Sequence, residues 1–90
     1  MPQAIVDPEE LRQFARNLQR FNQDLQDRLG ALAGQLTALG KTWRDQEQKK
    51  FVEEFEQQAK GLARFVELSE QHIPYLLRKA ELIDQYLQQR

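Results

Sequence analysis

The chain has no cysteine. That excludes a disulfide framework and any thiolate metal site, and it leaves the redox compartment open. Linker-like stretches of glycine, serine and proline are missing, as are internal repeats and any alternating strand pattern, which leaves an all-α chain. Neither sign of charge dominates: 13 basic and 14 acidic side chains leave a net charge of -1, a poor footprint for nucleic acid, which wants a basic face. No apolar run approaches the roughly 18 residues that span a bilayer. Residues 1–7 lack a basic region followed by an apolar core, which predicts no cleavable secretory signal. The expectation is a protein that stays in the cytoplasm or leaves the cell by a route needing no such signal. What remains is one small domain of 90 residues, 30% charged and 40% hydrophobic, the balance of a helical bundle.

The start of a first helix is written in Asp7, Pro8 and Glu10. Asp7 suits the N-cap, Pro8 the first helical position, and Glu10 the far corner of a capping box. Apolar residues then recur as Leu11, Phe14, Leu18, Phe21, Leu25, Leu29, Leu32, Leu36 and Leu39, in steps of three and four that mark a coiled-coil seam. The step from Leu25 to Leu29 breaks the alternation, so the seam is expected to shift face there. Gly40 is the expected stop.

A second helix is predicted to open with Thr42 as cap and Asp45 three residues later. Its seam runs Trp43, Glu47, Phe51, Phe55, Ala59, Leu62, Val66, Ser69, Ile73, Leu76, Ala80, Ile83 and Leu87. A second stripe lies beside it: Phe65, Leu68, His72, Tyr75, Leu82 and Tyr86. The apolar face from Leu62 onward is wider than one hairpin partner covers. Pro74 predicts a kink or a break near Gln71–Ile73. The expected layout is a single domain over residues 1–90: helix 1 about 8–39, bend 40–42, helix 2 about 43–89.

A bend centred beside Gly40 makes the numbers of facing residues sum to roughly 81 in an antiparallel hairpin. Trp43 and Phe51 then meet the small stretch Gly30-Ala31-Leu32-Ala33-Gly34, which suggests close packing around large rings, with a weak point in the first helix as the alternative. Pro74 falls opposite Asp7, so the apolar residues after it have no partner in the hairpin. Either the tail folds back as a third helix or a second chain covers it. Two helices alone do not close a core, and a two-fold dimer forming a four-helix bundle is the favoured solution. Phe65, Leu68, Tyr75, Leu76, Ile83, Tyr86 and Leu87 are the expected dimer or partner interface, with Tyr75, Leu76 and Ile83 at the contact.

A chain of this length with two helices and Trp43-Arg44-Asp45 in the bend resembles the WXG-hundred family, also called early-secreted-antigen-like proteins. The family motif is Trp-Xaa-Gly, and Asp45 stands in the glycine position. The resemblance implies a helical hairpin that pairs head to tail into a four-helix bundle. It also implies export through type VII secretion, alone or as partner of a larger toxin. The family's export signal is similar to Tyr-Xaa-Xaa-Xaa-Asp/Glu; here Lys79 lies four residues beyond Tyr75, and Arg90 four beyond Tyr86. A homodimer or a paralogous heterodimer is implied, with a secretion-system or toxin protein as a further partner. The alternative is an intracellular helical adaptor or immunity-like binding protein with no export role.

Candidates for chemistry are few. His72 is the one histidine, and scattered carboxylates such as Glu70 and Glu81 give it no recognisable metal-site spacing. Glu53, Glu54 and Glu56 alternate with Lys49, Lys50 and Lys60 at the spacing of ordinary surface pairs. No phosphate-binding glycine loop is present. The sequence predicts no enzyme and no cofactor or metal. Trp43 is expected to plug the elbow, or to form an exposed recognition knob beside Arg44 and Asp45.

Overall fold

The computed structural model describes residues 6–89. It contains two helices, α1 over Pro8–Leu39 and α2 over Gln46–Gln88, antiparallel in a rod of 67 × 22 × 17 Å. These two helices are the only elements among the described residues, so no third layer built from them covers either broad face.

α1 begins where its sequence dictates. The Asp7 carboxylate accepts a hydrogen bond from the Glu9 amide at 2.9 Å, and Pro8 loses nothing at a position whose N–H has no helical partner. Its end is made differently from expectation. Gly40 is right-handed, at φ -62° and ψ -12°, so the glycine does not end the helix by a left-handed turn. The last turn tightens instead: Gly40 N–H reaches Thr37 O at 3.1 Å and Lys41 N–H reaches Ala38 O at 3.1 Å. The missing side chain matters here for room, since a Cβ on Gly40 would lie 3.2 Å from Thr37 O.

The cap of α2 lies three residues after the predicted one. Thr42 Oγ1 turns back to donate to Leu39 O at 3.4 Å, and Asp45 caps α2 by accepting from Gln48 N–H at 3.0 Å. The helix does not end at Pro74. That residue is exposed, as is Glu70 one turn back, whose carbonyl loses its helical N–H partner. The tail therefore continues α2 and does not fold back as a third helix.

Register is the main correction. Asn22 bonds Ser69, Leu29 and Leu62 line one cleft, and Leu36 and Phe55 line another. Each pair of numbers adds to 91, well above the sum for a bend centred beside Gly40. The cause is the connector: with residues 40–45 outside both helices, the first turns of α2 overhang α1, and Leu39 is level with Val52. Pro74 is level with Asn17, not Asp7, so the residues after it lie along the beginning of α1. Ile73 and Ala80 are buried, Ala80 to 0% exposure, and Leu76 and Ile83 are half-buried. The expectation of a wholly unsheltered tail is overturned.

The seam of α1 also differs. Its covered residues are Leu11, Ala15, Leu18, Asn22, Leu25, Leu29 and Leu36, in strict four–three alternation with no shift of face, Leu32 taking the step between the last two. Ala15 and Asn22, each 1% exposed, occupy the places expected for Phe14 and Phe21, which are more than half exposed. Small side chains at Ala15 and Ala80 let the two backbones approach, and the rings are turned outward. On α2 the matching seam is Gln48, Val52, Phe55, Ala59, Val66, Ser69, Ile73, Leu76, Ala80 and Ile83. Among the described residues the buried ones (Ala15, Asn22, Val66, Ser69, Ile73 and Ala80) lie from the middle of the rod to the end away from the bend.

Candidate interaction surface

The seam divides the hairpin into two unlike sides. On one lie residues just after seam positions: Arg12, Gln26 and Ala33 of α1, with Glu56, Ala63, Glu70 and Asp84 of α2. This side is polar near the termini. Arg12 donates to Asp84 and lies 3.6 Å from Glu81 and 3.5 Å from Glu9. The hydrogen bond to Asp84, more than any other influence, raises the pKa of Arg12 above its ordinary value. Nearer the bend, small residues at Gly30, Ala33, Ala59 and Ala63 leave a shallow cleft floored by Leu25, Leu29, Phe55 and Leu62.

On the other side lie residues just before seam positions: Phe14 and Phe21 of α1, and Phe51, Phe65, His72 and Tyr86 of α2. The Phe21 and Phe65 rings meet edge to face, 6.2 Å apart at 89°, which places both helices' flanks on a common face. Leu68, Tyr75 and Leu82 widen it along α2, and Leu32 and Leu39 carry it towards the bend. Tyr75 is the most exposed large hydrophobic residue of the set, at 71%. Ten large apolar residues of this face stay between about two-fifths and seven-tenths exposed. At 150–250 Å² for each aromatic side chain, the face presents on the order of 1,000 Å² of apolar surface, beyond the few hundred usual for a monomer.

Of the residues predicted as an interface, Phe65, Leu68, Tyr75 and Tyr86 lie on this strip. Leu76 and Ile83 belong to the seam, half-buried beside α1, and Leu87, 39% exposed, ends it. Missed in the sequence were Phe14 and Phe21, assigned to the seam because they are large. The signal that finds them is the unbroken alternation obtained when Ala15 and Asn22 take their places.

The bend is tied by the three residues singled out there. Trp43 N–H donates to Leu39 O at 2.9 Å, Arg44 Nε donates to Gly40 O at 3.2 Å, and Asp45 caps α2. The first two satisfy carbonyls at the end of α1, and the third an orphan amide at the start of α2. Trp43 is half-buried against Phe51, ring centroids 6.2 Å apart. The small residues expected to receive it lie elsewhere, and a Cβ at Gly30 or Gly34 would meet no atom within 4 Å. Close packing is therefore not why those glycines stand in α1.

Among the described residues no group of histidines and carboxylates converges as a metal site, and no helix is long and apolar enough to cross a membrane. His72 sits on the strip, its ring 6.2 Å from that of Tyr75.

The chain is an all-α molecule, a thin helical hairpin with a tied bend and one face of exposed aromatic rings. The model of the family described as proteins of 100 residues with WXG matches residues 3–86, and the chain belongs to that family. No curated protein and no solved structure matches it. The proteins of the family are small, non-enzymatic and helical, typically dimerise, and are associated with type VII secretion without a signal peptide. Asp45, in the family's glycine position, supplies a cap that glycine provides less well.

Proposed function

We propose that this protein is an assembly partner that works by laying its aromatic strip against a second helical hairpin, a like chain in the first instance, to close a four-helix bundle. The strip itself carries the proposal: two helices leave on the order of 1,000 Å² of apolar side chain in water, and about 800 Å² per partner is the size of a stable interface. Phe65, Leu68, Tyr75 and Tyr86 are the proposed contacts, with Phe14 and Phe21 beside them and Leu76, Ile83 and Leu87 supporting from the seam. Head-to-tail pairing suits the distribution of rings. It brings Leu82 and Tyr86 at one end of a copy towards Phe51 and Leu39 at the other end of its neighbour, and a two-fold axis makes both contacts at once. Light scattering on the purified chain tests this. A mass near twice 10.7 kDa supports pairing, and a mass of one chain at micromolar concentration refutes self-association.

The cellular role we propose is that of a small secreted or secretion-associated partner of a type VII system, carried by family membership. One observation favours a second role, an intracellular adaptor or immunity-like binder: Lys79 and Arg90 occupy the positions where an acidic residue would complete the export signal after Tyr75 or Tyr86. Export measured from the native cell separates the two. Protein in the culture medium that disappears when the secretion ATPase is deleted supports the first role, and its retention in the cell supports the second.

A further inference from the structure

Asn22 and Ser69 are the polar side chains buried among the described residues, at 1% and 9% exposure, and they face each other. Asn22 Nδ2 donates to Ser69 Oγ at 2.7 Å and to Glu70 Oε2 at 2.8 Å, while Ser69 Oγ donates its own hydrogen to Val66 O at 3.0 Å. The acceptor-only carboxylate of Glu70 fixes which way the amide points, and Asn22 Oδ1 is left buried without a partner. Valine or leucine at both positions would fill the seam without that unmatched oxygen. Something other than stability has to account for the pair.

The rest of the seam does not specify one alignment. Sliding α2 by seven residues, so that facing numbers add to 84, would set Leu29 against Phe55, Leu18 against Val66 and Leu11 against Ile73. Those layers remain apolar, and the overhang of α2 past α1 leaves room for the slide. The same slide sets Asn22 against Leu62 and Ser69 against Ala15, which takes both acceptors from the buried Asn22 amide and leaves Ser69 only the bond to Val66 O within its own helix. A slide the other way sets Asn22 against Leu76 and Ser69 against Leu29. We infer that Asn22 and Ser69 are a positioning pair: they set the register of the hairpin, and with it which side chains of the two helices stand together on the aromatic strip. Register is specified by a matched polar layer, at a cost in stability, in the way that a single polar seam residue specifies alignment in coiled coils. The inference holds whatever molecule the strip receives.

The absence of cysteine lets engineered pairs report register directly. Leu29→Cys with Leu62→Cys bridges in the observed register, and Leu29→Cys with Phe55→Cys bridges after a slide of seven. In a glutathione buffer that oxidises the first pair, the second is expected to stay reduced while Asn22 and Ser69 are present. With Asn22→Val and Ser69→Val, the slipped disulfide should rise about tenfold while the melting temperature stays level or increases. The exchanged variant, Asn22→Ser with Ser69→Asn, keeps a matched layer and should hold the native register. An unchanged slipped fraction in the apolar variant, a lower melting temperature there, or equal slipping in the exchanged variant overturns the inference.

Discussion

Tyr75→Ala separates the strip from the fold. The side chain is 71% exposed and its one ring neighbour is His72, so truncation should change the stability of a single hairpin by no more than about 0.5 kcal/mol. Association is another matter. A ring side chain of about 200 Å² leaves roughly 140 Å² in water, and covering it is worth up to about 3.5 kcal/mol at ~25 cal/mol per Å². Taking half of that for the part lost on truncation, and counting both copies of a two-fold dimer, gives about 3.5 kcal/mol, or a roughly 300-fold weaker complex. Sedimentation velocity over a concentration series reads the constant directly. Leu77→Ala is the control, because Leu77 is also exposed, at 41%, but stands on the opposite flank of the seam. A dissociation constant unmoved by Tyr75→Ala, or moved equally by Leu77→Ala, refutes the assignment of the strip.

Three further outcomes are expected. Ile73→Ala empties a buried seam position and should cost about 2–4 kcal/mol in urea unfolding, a large share of the stability of so small a domain. Asp45→Ala removes the cap of α2 and should cost about 1 kcal/mol, Asp45→Gly only a few tenths, and Thr42→Ala less than Asp45→Ala; the reverse order would reinstate Thr42 as the cap. Gly30→Ala with Gly34→Ala meets open space and should raise stability by about 1 kcal/mol per site, with loss of stability on thermal melting as the contrary result.

Much of the fold is legible in the sequence because helix signals are local. Asp7-Pro8 and the three–four spacing place α1, and the wide apolar face of the second helix calls for a covering surface. Register is not local. It depends on where α2 starts, and Thr42 and Asp45 both look like caps from sequence alone; only the folded bend shows the threonine hydroxyl committed to Leu39. An error of that kind carries through the chain, since it moved Pro74 from opposite Asn17 to opposite Asp7 and left the tail seemingly bare. The seam of α1 was misjudged for another reason. Size favours Phe14 and Phe21 as core, but two helices approach most closely over small side chains, and Ala15 facing the region of Ala80 has no signature beyond an unbroken rhythm. Part of the exposed strip is legible despite both errors, because Phe65, Leu68, Tyr75 and Tyr86 recur together on a stripe of their own.

The buried residues among those described lie from the middle of the hairpin to its open end, and the peptide link between the helices sits at the other. Each end is therefore held by a different kind of bond: covalent continuity where the side chains leave gaps, and close contact where the two strands of chain are free to part. Amide hydrogens should exchange fastest beside the bend and slowest around Asn22 and Ile73. A protease that nicks the connector would release the looser end first, leaving two fragments gripped at their far tips like a closed clasp.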